Sequence, residues 1–313
     1  MKVAVVEMPT VLAQVEQNMK TAENYIEKAA KEGAELIVFP EFFTTGFAFC
    51  EAIWDAIIAS ETVEDTMQNW STKYQIAVGG SYLWYDESKE ETYNKFGLFF
   101  PNGEQFFHKK DIPTAIENYC YTKGDNNRVF ETPLGKIGIA MCWEQLRYDT
   151  LRDMKEKVDF VIGGSCWWGF AKEDGKLMYH MLEKSNRRLA QQIPYVLSDT
   201  LGVPFIHASH GVSFEGGTLK DMHVTCVRKI NGDALILDGT GKKLISANQN
   251  AGVYFADIMP GSLKTKVELP ENEYWVKKLP TMLEKGFYML NENYSKYYEK
   301  VTKEEIRKRL QKI

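Results

Sequence analysis

The sequence predicts an α/β fold in which apolar strands alternate with helices. Residues 2–7 form a predicted strand, an amphipathic helix follows, and the apolar run 35–39 predicts a second strand. A strand, a helix and a strand in succession make a βαβ unit, whose two strands pair in parallel. The second half repeats this rhythm, with strands at 136–141 and 158–162 on either side of a helix near 146–157. This rhythm alone predicts an α/β protein with a mixed sheet.

The rest of the first half predicts a helix, a strand and a hairpin. Residues 61–73 carry a helical pattern, and the run 75–82 is typical of a buried strand. Two apolar segments, 95–100 and 104–109, flank the turn 101–103, which contains an Asn-Gly pair. Asn-Gly between apolar segments is a strong hairpin signal, so we expect these segments to pair in antiparallel fashion.

The remainder of the second half predicts a further helix, two more strands and a hairpin. These elements are a helix near 176–192, a strand at 194–199, a hairpin from 233–238 and 242–246, and a last strand at 252–258. Residues 203–231 show no clear periodicity and hold three of the five histidines. Because no linker rich in Gly, Pro or Ser divides the chain, we expect residues 1–262 to form one domain.

The composition changes after Pro260. Residues 263–313 carry many charged and aromatic side chains, and Thr302 with Glu305 has the spacing of a capping box at a helix start. An apolar stripe beyond the last strand fits packing on its own domain and a subunit contact equally well. Our prediction is a C-terminal extension that contacts a neighbouring subunit of a homo-oligomer, a dimer or larger.

Bulk composition narrows the class of protein. The chain has 313 residues, 44% of them hydrophobic, and a formal net charge of −5. A nucleic-acid-binding surface is normally basic, and no apolar run approaches the roughly 18 residues that span a bilayer. The five cysteines are scattered without CxxC spacing, which fits neither a disulfide framework nor a zinc site. We therefore expect a cytoplasmic protein without nucleic-acid or membrane partners.

Three apolar segments lead into side chains that can carry chemistry. They end in Glu41, in Lys109 and in Cys142. Open α/β sheets place their chemistry at the carboxyl ends of strands. A lone cysteine equally fits a small buried hydrophobe. A carboxylate, an ammonium and a thiol together are the parts of a nucleophilic amide-cleaving site, which favours the reactive interpretation.

The lysine is ambiguous because two of them are adjacent. Side chains alternate along a strand, so an inward-pointing Phe107 would place Lys109 on the inner face and Lys110 on the outer face. The alternative is that both lysines are solvated at a turn. Alternation predicts that Lys109 is the functional one.

These segments resemble the signature segments of the nitrilase, or carbon–nitrogen hydrolase, superfamily. The matching runs are IVFPEFFTTGF (37–47), FFHKKDIP (106–113) and GKIGIAMCWEQLR (135–147). The resemblance covers residues 1–200 well and 232–258 passably. It implies a four-layer α-β-β-α sandwich, in which two mixed sheets face each other and helices lie outside. The family has a Glu-Lys-Cys triad in the same chain order.

The resemblance also implies roles for individual residues. Glu41 matches the general base and Cys142 the nucleophile. Aligning FHKKDI on the family's aromatic-Arg-Lys pattern places Lys109 on the lysine that stabilises the oxyanion, with the backbone N–H of Trp143 as a second donor. The expected substrate-binding side chains are Glu117, Trp143, Trp167, Phe42 and Tyr119. Neither a metal nor an organic cofactor is expected.

The predicted function is thiol-dependent hydrolysis of a non-peptide C–N bond in a small linear amide or N-carbamoyl compound. A thioester would form, and ammonia or an amine would leave. Two alternatives stay open, a nitrilase that converts a nitrile to an acid and ammonia, and a catalytically silent binding protein. His207, His210 and His223, with Asp221, could also form a metal site, although their spacing favours ordinary loop histidines.

Overall fold

The computed structural model of the protein describes residues 1–170, 176–215, 219, 227–263 and 267–312. Its strands are β1 (Lys2–Met8), β2 (Leu36–Val38), β3 (Ala77–Asp86), β4 (Glu91–Phe99), β5 (Gln105–Lys109), β6 (Val129–Thr132), β7 (Gly135–Met141), β8 (Phe160–Gly164), β9 (Trp167–Trp168), β10 (Phe205–His210), β11 (Ser213–Glu215), β12 (Val227–Asn231), β13 (Leu235–Leu237), β14 (Lys243–Ser246) and β15 (Gly252–Asp257). Its helices are α1 (Val15–Lys31), α2 (Ala52–Ala59), α3 (Val63–Tyr74), α4 (Tyr148–Met154), α5 (Lys176–Leu201), α6 (Thr281–Tyr297) and α7 (Lys303–Leu310). Short 3-10 turns span Ala115–Tyr119 and Cys142–Leu146, and a π-helical turn, Tyr298–Thr302, joins α6 to α7.

The strands form two halves that meet where β1 pairs with β10. Hydrogen-bonded neighbours follow the order β5-β4-β3-β2-β1-β10-β8-β7-β6, while β15 pairs with β1, and β13 with β10 and β14. Strand β1 runs parallel to β2, as the first βαβ pattern predicted. Its pairing with β10 is limited to Glu7–Ser209 and Met8–His210. The two halves therefore share one short junction and otherwise form separate mixed sheets.

Three apolar clusters define the layers. An inner core between the sheets joins side chains of β1 and β2 to side chains of β7 and β8, such as Val5, Val38, Ile139 and Ile162. Helices α1 and α3 cover the outer face of the first sheet, and α4 and α5 cover the outer face of the second. Burial of each large aliphatic side chain contributes roughly 2 kcal/mol. The expected arrangement of sheets inside and helices outside is confirmed.

Two elements of the second half differ from the sequence prediction. Residues 194–199 are not a strand but part of α5, where Ile193, Leu197 and Leu201 are buried at helical spacing around Pro194. The strand lies later, as β10, within the stretch that showed no periodicity. Every residue of β10 is buried, with β8 paired in parallel on one edge and β13 and β1 sharing the other edge. A strand buried on both faces has no polar alternation.

The C-terminal segment packs on its own chain. Phe287 of α6 is buried, and the Tyr298 hydroxyl accepts the Thr92 N–H at 2.8 Å. The expected capping box at Thr302 is wrong, because this residue is helical and its hydroxyl donates to the Tyr119 carbonyl instead. The helix continues from α6 through the π turn, so α7 needs no separate cap. The contact with a neighbouring subunit stays a prediction.

Among the described residues, no helix combines the length and the apolar character that crossing a bilayer requires.

Glu7 is a buried carboxyl at the junction of the two sheets. Its Oε2 accepts the Ala234 N–H at 2.6 Å, and its Oε1 has no hydrogen-bond partner. Burial, with a smaller contribution from the charge of Asp233, raises the pKa of Glu7 to about 8. The folded protein therefore holds this carboxyl in its neutral form at neutral pH.

This shift predicts a pH-dependent stability. Because the pKa of Glu7 is higher in the folded than in the unfolded chain, the stabilisation is fully present below about pH 4.5 and is lost as the pH rises through about 8. Glu7→Gln keeps the shape without the charge, so it should flatten the decrease in the free energy of unfolding between about pH 4.5 and pH 8. Denaturant titrations across this range measure the effect.

The exposed Glu131 supplies a matched control, since Glu131→Gln removes a carboxylate that solvent already reaches. This control should keep the wild-type pH dependence. An equally steep decrease in Glu7→Gln would contradict the assignment to Glu7.

Candidate active site

The ends of three strands and one 3-10 turn bring four functional side chains together. Glu41 follows β2, Lys110 follows β5, and Cys142 follows β7. Glu117 lies in the turn Ala115–Tyr119. All four side chains are buried.

The ammonium of Lys110 lies between two carboxylates. Its Nζ is 2.7 Å from Oε1 of Glu41 and 2.6 Å from Oε2 of Glu117. A carboxylate oxygen of Glu41, one of Glu117 and the Cys142 Sγ all lie within 4.8 Å of one another. The structure thus brings together Glu41, Glu117 and Cys142, which the sequence analysis had named, and it adds Lys110 to them.

The placement of Lys109 beside this cluster is wrong. Lys109 lies on the opposite face of β5, with its Nζ 4.3 Å from the ring centre of Tyr93. The prediction assumed that Phe107 points inward, yet Phe107 packs edge-on against Phe99 towards the outer helices. The inward position belongs to the fully buried His108, so Lys110, two residues on, has the same orientation.

Charge and burial set the protonation states in this cluster. Burial alone would lower the pKa of Lys110, but Glu117 and Glu41 outweigh it and hold that pKa above its usual range. Burial raises the pKa of Glu41, and the charge of Lys110 only partly opposes it. Burial and then the charge of Glu41 raise the pKa of the Cys142 thiol. The Cys142 thiol therefore keeps its proton at rest, and it lies beside a Glu41 carboxylate that accepts a proton more readily than an exposed one.

The Lys110 ammonium also bears on metal binding. Glu41, Glu117 and Cys142 approach closely enough to hold a metal ion, but the ammonium already bridges the two carboxylates. A cation there would meet direct repulsion, so the donor set does not fit a metal.

His207 and His210, two of the three histidines that suggested a metal site, are part of the core. The His210 Nε2–H donates to the Glu41 carbonyl at 2.7 Å, and Nδ1 of His210 accepts from the Thr10 hydroxyl at 2.9 Å. His207 contacts the Asp233 carbonyl and Ser165. Burial lowers the pKa of both histidines to about 4. Asp221 and His223 lie outside the described residues.

Further groups orient the Glu41 carboxylate. Asn94 donates to its Oε1 at 2.9 Å, and the backbone N–H of Cys166 donates to its Oε2 at 3.0 Å. Ser81 in turn donates to the Asn94 amide oxygen at 2.7 Å. Sequence reasoning missed Asn94, although an amide among the aromatic residues of a buried strand was a usable signal.

Glu144 joins the two segments that carry Cys142 and Lys110. Its carboxylate accepts the Met141 N–H at 2.9 Å and the Asp111 N–H at 3.0 Å. Met141 precedes Cys142 and Asp111 follows Lys110. One buried carboxylate thereby fixes the thiol relative to the ammonium.

Glu144 keeps its charge because a guanidinium and several hydrogen-bond donors surround it. His108 Nε2 donates to it at 2.9 Å, and the Arg128 guanidinium lies 3.5 Å away. Burial would raise the pKa of Glu144, but His108 and Arg128 outweigh it and hold the pKa below its usual range. No separate sequence signal predicted this network.

Backbone strain concentrates at the site. Phe42, Ala115 and Cys142 have φ angles of 56°, 48° and 47°, in the left-handed region that side chains disfavour. Each of these residues belongs to, or lies within two positions of, the four-residue cluster. Strained conformations of this kind persist where the surrounding structure fixes them, and they often mark functional sites.

The aromatic residues expected to bind substrate form a wall around the cluster. Trp143 stacks on Trp167 with ring centres 5.6 Å apart, and the Trp167 indole donates to Asn186 at 2.8 Å. Phe42 stacks on Phe47, and the Tyr119 hydroxyl donates to the Ala48 carbonyl. Trp143 lines an open cavity, whereas Trp167, Phe42 and Tyr119 are packed behind the site.

Comparison with known proteins agrees with this geometry. The family described as carbon-nitrogen hydrolase matches residues 2–265. Nitrilase 1 of Arabidopsis thaliana is 32% identical over 46% of this chain, which spans 47% of that protein. N-carbamoylputrescine amidase of Solanum lycopersicum is 26% identical over 64% of this chain and is matched over 70% of its own length.

A solved structure shows the same fold. The carbon-nitrogen hydrolase from Helicobacter pylori G27 is similar with a TM-score of 0.68 at 18% identity, covering 83% of this chain and 89% of that one. The family match takes in every strand and all four residues of the buried cluster. This chain belongs to the carbon-nitrogen hydrolase family.

Proposed function

We propose that the protein hydrolyses a non-peptide C–N bond in a small linear amide or N-carbamoyl compound, with Cys142 as the nucleophile. The observation that carries this proposal is the buried Lys110 ammonium, held between Glu41 and Glu117 next to the Cys142 thiol. An ammonium in a dry site can stabilise negative charge far better than it could in water.

The first half-reaction uses Glu41 as a base. Glu41 takes the thiol proton while Sγ of Cys142 attacks the substrate carbonyl carbon, and the carbonyl oxygen becomes an oxyanion. Lys110 stabilises this oxyanion, with the Trp143 N–H as a second donor. The intermediate then collapses, the C–N bond breaks, and the nitrogen leaves with the proton that Glu41 held.

The second half-reaction restores the enzyme. Glu41 removes a proton from water as the water oxygen attacks the thioester carbonyl carbon. The carbon–sulfur bond breaks, the carboxylic acid leaves, and Cys142 regains its proton from Glu41. Glu117 takes no proton in this scheme, since its contact with Lys110 serves to orient the ammonium.

A nitrile is the second candidate substrate class, supported by the similarity to Arabidopsis nitrilase. A panel of linear amides, N-carbamoyl amines and nitriles, assayed for ammonia release, separates these substrate classes. Hydrolysis of amides or carbamoyl compounds with no turnover of nitriles is the expected result. Turnover of nitriles alone would replace the proposal with the second candidate.

The panel also tests the remaining alternative, a silent binding protein. Cys142→Ala is the matched control, and it should abolish every activity that depends on this site. Activity that survives this substitution would assign the chemistry elsewhere. No turnover of any substrate by the wild-type chain would favour the silent protein.

Substitution of the two adjacent lysines tests the corrected assignment. Lys110→Met removes the buried ammonium and should lower kcat by about 10² to 10³, as loss of an oxyanion donor does. Lys109→Met is the matched control, because its ammonium lies over aromatic rings on the other face of β5. It should retain wild-type rates.

Lys110→Met leaves two buried carboxylates facing each other, so its folding needs a separate measurement. The double variant Lys110→Met/Glu117→Gln removes one of these charges and should fold while staying inactive. Wild-type rates in either variant would show that the ammonium takes no part in the reaction.

The protonation of Glu41 predicts the acid limb of the pH profile. Because burial raises the pKa of this carboxyl, its basic form is lost at a pH above the ordinary value of 4.5. We expect kcat/KM to decrease as the pH falls through this raised pKa. A pH profile of kcat/KM whose acid limb lies at or below about pH 4.5 would contradict the role of Glu41.

Glu144 is expected to act as a positioning residue. Glu144→Gln keeps one oxygen acceptor and loses the charge, so Met141 and Asp111 can no longer both donate to a carboxylate. We expect kcat to fall about tenfold, the scale of one charge-assisted hydrogen bond, with KM unchanged. The rate of Cys142 alkylation by iodoacetamide should fall in parallel.

Glu144→Asp keeps the charge and should restore part of both rates. The surface substitution Glu131→Gln should change neither rate. A loss of folding stability in Glu144→Gln without a change in alkylation rate would assign Glu144 a purely structural role.

A further inference from the structure

An open cavity lies between helix α6 and the segment that carries the nucleophile. Its volume is about 370 Å³. One wall comes from Ala115, Trp143, Trp168, Phe170, Leu182 and Asn186. The opposite wall comes from α6 residues between Met282 and Leu290, including Gly286 and Phe287. The lining is therefore mainly aromatic and aliphatic.

Two residues of the cavity lining are close in the chain to the reacting groups, which are not themselves part of that lining. Trp143 follows Cys142 in the chain, and Ala115 lies two residues before Glu117. The Trp143 ring stacks on Phe287 of α6, with ring centres 5.0 Å apart and planes 7° apart. The wall that α6 provides thus touches the residue next to the nucleophile.

Helix α6 lies outside the part of the chain that the family match covers. That match ends at residue 265, and α6 begins at Thr281. The wall is therefore a feature of this chain's C-terminal segment, and properties shared by the family do not determine what it accepts.

The Asn186 side chain, a polar group in the cavity wall, already has hydrogen-bond partners in the protein. The Asn186 amide accepts the Trp167 indole N–H at 2.8 Å and donates to the Trp168 carbonyl at 3.2 Å. The Lys285 ammonium belongs to an exposed residue, so solvent can reach it. An occupant would gain free energy chiefly by burying apolar surface.

We propose that this cavity holds the apolar chain of the substrate, and that α6 sets the substrate's length. This inference rests on the proposed function, since the amide carbonyl would reach Cys142 while the chain extends beneath α6. At about 30 Å³ for each water-sized group, the cavity has room for about twelve such groups, so it can hold a chain of eight carbons. The substrate class is a medium-chain aliphatic or arylalkyl amide.

Gly286 allows a precise test of the wall. A Cβ added there would meet no heavy atom within 4 Å, and the backbone is not in a left-handed conformation. Gly286→Leu should therefore project into the cavity without strain, and leucine favours the helix by about 1 kcal/mol relative to glycine. Asn293→Leu is the matched control, because Asn293 lies exposed on α6 outside the cavity.

The experiment compares kcat/KM for acetamide, butanamide, hexanamide and octanamide. In the wild-type chain, each added methylene should raise kcat/KM about threefold to fourfold until the cavity is full. Gly286→Leu should lower kcat/KM for octanamide at least tenfold, which corresponds to the burial of about two methylenes. It should leave kcat/KM for acetamide unchanged. Asn293→Leu should keep the wild-type profile.

Three results of this comparison would overturn the inference. One is a wild-type kcat/KM that is independent of chain length. Another is an equal loss on acetamide and octanamide in Gly286→Leu. A changed association state in Gly286→Leu, seen by light scattering with an unchanged chain-length profile, would assign the cavity to a second copy of the chain and also overturn it.

A binding measurement separates this inference from the proposed function. Octanamide should change the tryptophan fluorescence of the wild-type chain, since Trp143 and Trp168 line the cavity, and should do so weakly in Gly286→Leu. Binding without hydrolysis of any amide would reject the proposed function and keep the apolar cavity. Hydrolysis of amides without this difference in binding would keep the proposed function and reject the cavity as the site of the apolar chain.

Discussion

A single buried ammonium fixes how the site is assembled. Lys110 has no access to water, and its charge is balanced by Glu41 and Glu117, which come from separate segments of the chain. Removing one partner of such a buried pair costs about 3 to 5 kcal/mol, because an uncompensated charge is left behind. A single relative arrangement is therefore favoured for the three segments that carry these charges, which are the end of β2, the end of β5 and the turn with Glu117. The thiol of Cys142 is placed against charges that are already fixed.

A second charge network holds this arrangement from behind. Asp111 follows Lys110, and its carboxylate pairs with Arg128 at 3.1 Å and with Arg147. Its backbone N–H donates to Glu144, which the Arg128 guanidinium also approaches, so the Glu144 carboxylate belongs to this second network. The first network contains the groups proposed to take part in the reaction. The charges of the second network only hold chain segments in place. This division explains how a strained Cys142 backbone can persist at the end of β7.

The sequence predicted the alternation of strands and helices and the hairpins because apolar periodicity determines those features. Strand ends singled out Glu41 and Cys142, whereas the sandwich and Glu117 were implied by the family resemblance. The lysine was misplaced because strand alternation was counted from Phe107. The inward position belongs to His108, a polar residue whose buried nitrogens pair with Glu144 and with the Asn127 carbonyl. Such a pairing joins distant segments and leaves no periodic pattern. The same reason explains β10 and Asn94, whose burial depends on neighbours far away in the chain.

The pairing of β1 has a consequence for the order in which the chain can fold as it is synthesised. This first strand pairs with β2, but its other neighbours are β10 and β15, more than two hundred residues later. Contacts between residues so far apart slow folding, because a long loop must close before they form. Strand β1 thus waits with an open edge until residue 257 has been synthesised. A nascent chain of this protein needs protection of that edge from aggregation throughout its synthesis.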